Sequence, residues 1–195
     1  MDVKQIFLYI SILLGFITPI IGVRAILKGE YKPQRITRFL LFIVTAIFVA
    51  TLYFQGDRTG LFLAIPSFIG STVIFILSIK YGVGGRSKID IITLIGALLS
   101  LVVWKVTDNP TLGLYASILT DFIGFSPTLV KSYKEPYTES YLFYGCDVIA
   151  SFFNLLALKS YLAMDLAFPF YIFLINLSVT LLILLRRRNK VVQIG

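Results

Sequence analysis

Histidine is absent from this 195-residue chain, and cysteine occurs once, as Cys146. The missing imidazole removes the commonest metal ligand and the usual proton shuttle near neutral pH. A single cysteine excludes an intrachain disulfide and any site that needs several thiolates. The sequence also lacks a phosphate-binding loop and a catalytic triad. We therefore expect no metal and no cofactor, and we do not expect an enzyme.

Charged residues are scarce as well, at 14% of the chain, against about 25% in typical soluble domains. Hydrophobic residues make up 57%, and the mean hydropathy is +0.88. A soluble fold of this size could not remove so much apolar surface from water, so we expect a lipid bilayer as its surroundings. The net charge of +8 does not predict a nucleic-acid partner, because the basic residues stand between apolar runs.

Seven apolar runs predict the architecture. An uncharged stretch of about 20 residues can satisfy its backbone in lipid only as a helix. The sequence therefore predicts an all-α integral membrane protein with seven transmembrane helices. Their expected bounds are residues 5–27, 37–54, 60–80, 88–105, 112–131, 139–158 and 164–186.

The distribution of basic residues predicts the orientation. Connections 1–2, 3–4 and 5–6, together with the tail, hold fourteen of the 18 Lys and Arg residues. An excess of Lys and Arg marks the cytoplasmic side, which places the N-terminus outside and the C-terminus in the cytoplasm. Arg38 is counted among these orientation charges, and Tyr31 beside them is expected at the membrane interface. The lack of long polar tails favours a prokaryotic plasma membrane.

An internal repeat divides the chain. Leu63-Ala64-Ile65-Pro66 opens the third helix, and Leu166-Ala167-Phe168-Pro169 opens the seventh, 103 residues later. Pro33 and Pro136 precede the second and sixth helices at the same offset. The pattern predicts a parallel 3+1+3 repeat, although shared composition alone could also produce it. The predicted units are a first three-helix bundle (1–82), a linker helix (83–110) and a second three-helix bundle with a basic tail (111–195).

A longer motif follows in the second bundle. The stretch from Asp121 to Ser132 has a mid-helix proline, Pro127, and a basic residue at its cytoplasmic end, and Glu139-Ser140 opens the next helix. With the 3+1+3 layout, this stretch resembles the SWEET and PQ-loop transporter superfamily. The Pro-Gln pair of that family stands here as Pro127-Thr128, which favours a divergent branch. The resemblance implies alternating access with Pro19 and Pro127 as hinges, and it also allows a cargo receptor.

Polar residues inside the predicted helices indicate a binding site. The sixth helix carries Ser140, Tyr144, Asp147, Ser151 and Asn154 at spacings of four, three, four and three, which places them on one face. Asp121 and Asn176 fall at a similar depth in neighbouring helices, where a charge facing lipid costs about 2.5–3.5 kcal/mol. A polar pocket is therefore expected, with contacts between helices as the alternative. The candidate substrate-binding residues are Asp147, Asn176, Asp121, Tyr144 and Asn154.

These observations predict a small transporter or facilitator of a polar solute, such as a sugar, an amino acid or a similar metabolite. No cation is apparent near the two aspartates, and burial without one favours their neutral form, which is a condition for proton coupling. Uniport and proton coupling both stay open, as does a homo-oligomeric state. A non-transporting membrane receptor or scaffold on the same fold is the alternative function.

Overall fold

The computed structural model describes residues 2–55, 58–84, 88–107, 110–158 and 160–192. Within these ranges the secondary structure is helical, apart from an isolated parallel bridge between Gln34 and Val83. The described part contains seven α-helices and one short 3₁₀ turn. They are α1 (Val3–Leu27), α2 (Arg35–Gln55), α3 (Arg58–Tyr81), α4 (Lys88–Thr107), α5 (Pro110–Lys134), the 3₁₀ turn (Pro136–Thr138), α6 (Tyr141–Ala157) and α7 (Ala163–Val192).

The all-helical prediction is confirmed for the described residues, and each predicted segment overlaps one observed helix. The largest difference is in α7, which continues through the basic tail to Val192 instead of ending at 186. Lys and Arg have good helix propensity, so the tail continues the helix after the apolar run ends. Arg86 and Lys159, which were counted for the orientation, lie outside the described residues, as do residues 85–87 and 108–109 of the predicted linker unit.

Three of the helical segments are long and apolar enough to cross a membrane: Val3–Leu27, Ala64–Tyr81 and Asp165–Arg188. Their length matches the roughly 20 residues that a hydrocarbon core requires. Large apolar side chains point away from the protein along these helices, including Leu13, Ile20, Ile76 and Leu185. An outward apolar surface of this kind is expected where lipid surrounds the protein.

Helices α1–α3 are called the first group below and helices α5–α7 the second group, and the two groups have the same order of contacts. In the first group α3 contacts both α1 and α2, and in the second group α7 contacts both α5 and α6. The two groups meet where α1 packs on α6 and where α2 packs on α5, and α4 contacts α5 and α2. The contacts between the groups therefore pair the first helix of each group with the second helix of the other.

Contacts between side chains give the helix directions. Gly15 and Pro19 of α1 lie beside Pro66 and Gly70 of α3 in the same order along both helices, so α1 and α3 run parallel. Asp121 and Tyr133 of α5 contact Tyr171 and Arg186 of α7 in the same way, so these two helices are also parallel.

The second helix of each group runs the opposite way. Phe39 and Phe42 of α2 pack on Phe75 and Phe68 of α3 in reversed order. Between the groups, Phe7 of α1 packs on Phe153 near one end of α6, and Gly22 lies against Phe143 near the other. Within the second group, Gly145 of α6 lies beside Thr180 of α7 and Phe152 lies beside Phe173, again in reversed order. Because α1 and α7 are both antiparallel to α6, a single direction is shared by α1, α3, α5 and α7.

The buried core lies at the end of the bundle where the α1–α2 and α5–α6 connections meet. Its members come from both groups and form one apolar cluster: Ala25, Ile26, Tyr31, Ile74, Phe125, Phe143, Tyr144, Ile175, Val179 and Ile183. The two connections also bond directly, because the amide of Lys32 donates to the carbonyl oxygen of Thr138 at 2.9 Å. This end of the bundle therefore holds the polar cluster described next.

Candidate functional site

Arg38 is a buried cation in the first turn of α2. Its side chain is 4% exposed, and its guanidinium donates to the phenol oxygens of Tyr31 and Tyr144, the second at 2.9 Å. The rings of Tyr31, Phe143 and Tyr144 lie 5.1 to 5.8 Å from the guanidinium carbon. Aromatic faces at such distances attract a cation, and the attraction grows when water is excluded. The guanidinium thus lies in an aromatic enclosure formed by residues of both helix groups.

Glu139 is the buried carboxyl group that accompanies it. Its side chain is fully buried, and the ammonium of Lys131 lies 2.9 Å from its Oε1 atom. The Tyr144 hydroxyl donates to Oε2 at 3.1 Å, which links Glu139 to Arg38 through one phenol. Tyr31, Arg38, Lys131, Glu139 and Tyr144 are called the Arg38 cluster below.

Local backbone features position Glu139. It lies between the 3₁₀ turn, which begins at Pro136, and Ser140, the N-cap of α6 whose side chain accepts from the amide of Phe143. Arg187 of α7 donates to the carbonyl oxygens of Pro136 and Glu139 at 3.1 and 2.7 Å. Two hydrogen bonds from Arg187 therefore hold the segment from Pro136 to Glu139 in place.

Burial sets the protonation tendencies of the two cluster members outside the helices. It raises the pKa of Glu139 above its ordinary value, and the charges of Lys131 and Arg38 partly oppose this shift. Burial also raises the pKa of the Tyr31 phenol, against the opposing charge of Arg38. Tyr31 therefore stays protonated at physiological pH.

One donor of the cluster has no partner among the described residues, namely the buried Nε atom of Arg38. A buried donor without a partner costs about 1–3 kcal/mol, and such a group in a native protein needs an explanation. An arrangement that exchanges partners during a conformational change would provide one, because Nε could be satisfied in another state.

Two of the predicted substrate-binding residues lie near the boundary between the helix groups. Tyr144 belongs to the Arg38 cluster itself. Asp147, one turn further along α6, is half-buried and interacts with the Thr18 hydroxyl of α1. The structure thus places both residues where α6 faces the other group.

The other predicted residues lie inside the second group. Asp121 is buried and accepts a hydrogen bond from the Tyr171 hydroxyl of α7 at 2.5 Å. Asn176 is also buried, and its amide donates to the carbonyl oxygen of Ile172 one turn earlier in α7 at 2.9 Å. Asn154 is half-buried near the end of α6. These contacts join Asp121 to α7 and leave Asn176 bonded within its own helix.

The structure corrects three premises of the sequence analysis. The aspartates do have a cation nearby, because the charge of Arg38 acts on both Asp121 and Asp147. Arg38 itself is buried inside the bundle, whereas the count of basic residues treated it as an orientation charge. Tyr31 is 1% exposed and lies in the buried core, so its side chain faces neither lipid nor water. Arg38 and Tyr31 are both buried because the α1–α2 connection packs against the α5–α6 connection and covers their side chains.

Both predicted hinge prolines lie inside helices, Pro19 in α1 and Pro127 in α5. A proline lacks the amide that would bond the carbonyl four residues earlier. At Pro127 that carbonyl belongs to Ile123, and it accepts from the Ser126 hydroxyl at 2.7 Å. The carbonyl of Gly124 accepts from the Thr37 hydroxyl of α2 at 2.7 Å. The interrupted part of α5 therefore bonds directly to the other helix group.

Sequence reasoning missed the central members of the cluster, Arg38 and Glu139. One available signal was the position of Arg38 between apolar residues at the start of α2. Another was Glu139, an acidic residue at the first position of the predicted sixth helix. Within the described ranges, no group of three or more His, Cys, Asp or Glu residues is placed to hold a metal ion.

Comparisons with known proteins give no relative. No protein-family model matches the chain, and neither the curated proteins nor the solved structures contain a match.

Proposed function

We propose that this protein is a small membrane transporter that moves a polar solute by alternating access between two three-helix groups. In this proposal all seven helices cross the membrane, α4 links the groups, the N-terminus is outside and the C-terminus is cytoplasmic. The host membrane is a prokaryotic plasma membrane. The motif around Pro127 and the 3+1+3 layout resemble the SWEET and PQ-loop superfamily, of which this chain would be a divergent member.

The packing order supports two related groups. In each of them the third helix lies between the first two, and the first and third helices are parallel. Swapping the groups about a two-fold axis would exchange the contact of α1 with α6 for that of α5 with α2, and both contacts are present. Such a relation is typical of parallel repeats with an axis along the membrane normal.

The observation that carries the proposal is the position of the Arg38 cluster between the groups. Arg38 comes from the first group, and its partner Tyr144 comes from the second. Burying charges is expensive, and a buried ion pair often stabilises a fold less than apolar residues of the same volume. A function that needs the boundary to close and reopen would explain why charged residues occupy it.

In the proposed mechanism the cluster closes the cytoplasmic end, and opening separates Arg38 from Tyr144. The softened helices at Pro19 and Pro127 allow the groups to rock against each other. Asp147 and Asn176 would then contact the solute from the second group, with Tyr144, Asn154 and Asp121 close by. A proton carried by Asp147 would couple transport to a pH gradient.

Solute exchange in proteoliposomes tests this function. A panel of sugars, amino acids and vitamins is first screened for thermal stabilisation of the purified protein, because a ligand of the folded state raises its melting temperature. The hit, radiolabelled, is then measured in counterflow. We expect Arg38→Met to reduce exchange about tenfold or more, which corresponds to roughly 1.4 kcal/mol. Lys32→Gln in the connection before the same helix removes an exposed side-chain charge and should leave exchange intact.

The same experiment separates transport from a receptor function. A receptor would show a selective hit in the thermal screen and no counterflow in the wild type. Equal exchange in wild type and Arg38→Met would remove the cluster from the mechanism.

A further inference from the structure

An apolar groove runs along the outer surface between α1 and α3. It encloses about 560 Å³, which is within the size range of small-molecule pockets. Its walls are formed by Phe16 and Ile20 of α1 and by Ile69 and Val73 of α3. Both helices belong to the segments that are long and apolar enough to cross a membrane. The groove therefore lies at a depth where acyl chains surround the protein.

The floor of the groove results from one missing side chain. Gly70 faces Pro19, and both residues line the groove. Any larger residue at position 70 would meet the proline ring, so the two helices approach closely there while their outer side chains diverge. The result is a depression in a surface that otherwise carries protruding apolar side chains.

The end of the groove is basic. The aliphatic parts of Arg24 and Lys28, one turn apart at the end of α1, line it together with Leu27, and the charged ends of both side chains lie outside the apolar lining. Arg24 is exposed and pairs with no carboxylate among the described residues. Lys28 lies 3.9 Å from Glu30, but both side chains are more than half exposed, and ion pairs of this kind are weak. An apolar groove that ends beside two cations matches the two parts of an anionic lipid, the acyl chain and the negatively charged headgroup.

We propose that this groove binds an anionic phospholipid, with one acyl chain between α1 and α3 and the phosphate between Arg24 and Lys28. A neutral phospholipid would fill the apolar part equally well. Its zwitterionic headgroup would interact less favourably with the two cations, because it carries no net charge. The proposal depends only on α1 and α3 and stands apart from the transport function.

Competition between two lipids with identical acyl chains tests the site. The protein in neutral detergent is mixed with equal amounts of phosphatidylglycerol and phosphatidylcholine, and the bound lipids are counted by native mass spectrometry. Each basic residue near a membrane surface contributes about 1 kcal/mol, or roughly a fivefold preference. The double variant Arg24→Gln/Lys28→Gln should therefore lose a preference of about 25-fold.

Three controls locate the effect. Lys80→Gln removes an equivalent charge from the end of α3 outside the groove lining, and it should keep the preference for phosphatidylglycerol. Arg24→Lys keeps the charge and should bind like the wild type. Val73→Trp should fill the groove and reduce binding of both lipids, and Ile20→Trp does so from the opposite wall if the first variant folds poorly.

The proposal is overturned if the double variant keeps its preference or if Lys80→Gln loses as much as the double variant. It is also overturned if neither tryptophan reduces lipid binding. Added inorganic phosphate should displace little phosphatidylglycerol, because it lacks the acyl chain. Full displacement would assign the cations to free phosphate instead.

Discussion

The ring of Pro19 occupies the space that a side chain at Gly70 would need. A Cβ atom built on Gly70 would lie 2.9 Å from the Cβ atom of Pro19, and on the same two helices Pro66 lies 3.5 Å from a Cβ built on Gly15. The two helices thus pair a proline with a glycine twice, one turn apart. This reciprocal fit brings α1 and α3 together in a parallel arrangement.

We expect Gly70→Ala to destabilise the protein by about 1–3 kcal/mol, as overpacking of a close contact typically does. The matched control is Gly96→Ala in α4, where an added Cβ meets nothing within 4 Å. That change should be neutral or stabilising, because alanine has the better helix propensity. Thermal unfolding of the purified proteins in detergent measures both, and equal melting temperatures for the two variants would contradict the described packing.

Arg38→Met should destabilise the protein by roughly 3–5 kcal/mol, because it leaves Glu139 buried with fewer compensating charges. The double variant Arg38→Met/Glu139→Gln should recover part of this loss. A double-mutant cycle on melting temperatures gives the coupling between the two residues. Strictly additive losses would mean that the two charges do not interact.

Stability should decrease as the pH rises through the range above the ordinary pKa of a glutamate. Burial raises the pKa of Glu139 in the folded protein, so the folded state holds a proton that the unfolded chain has already released. The resulting stabilisation is complete below the unfolded pKa and is lost as the pH passes the folded one. Melting temperatures at a series of pH values should show a smaller slope for Glu139→Gln than for the wild type. An unchanged slope would mean that Glu139 is ionised throughout.

Asp147→Asn should lower solute exchange about tenfold or more, the equivalent of roughly 1.4 kcal/mol. Its carboxylate lies at the boundary between α6 and α1, where the proposed solute would pass. Asp165→Asn in the first turn of α7 is the control, since that residue is exposed and should tolerate the change. If exchange through Asp147→Asn is normal but no longer depends on pH, the residue carries protons without binding the solute.

The orientation can be tested with reporters fused to the C-terminus. Green fluorescent protein matures in the cytoplasm, whereas alkaline phosphatase is active only outside it. We expect fluorescence and no phosphatase activity, because most basic residues fall in the connections that the proposed topology places on the side of the tail. The opposite pattern would reverse the proposed orientation and move the Arg38 cluster to the outer face.

The sequence predicted the helices well and the site only partly. Apolar runs set the helix positions, so local information was sufficient for them. The exception is the end of α7, which continues through the charged tail to Val192. The burial of Arg38 and Tyr31 depends on a contact between connections that lie far apart in the chain, such as the bond from Lys32 to Thr138. Neither composition nor spacing contains that contact. Tyr144 was a candidate from the sequence because its spacing places it on the polar face of α6, and the structure places it in the Arg38 cluster.

The Arg38 cluster also has a consequence for the order of assembly during synthesis. Arg38 belongs to α2, which leaves the ribosome before Glu139 and before α6 with Tyr144. Domains synthesised first generally begin to fold first. Until α6 emerges, the guanidinium of Arg38 lacks Glu139 and Tyr144, and it must stay close to water or lipid headgroups. Only the arrival of α6 lets that end of the bundle close, which makes the last third of the chain the part that completes folding.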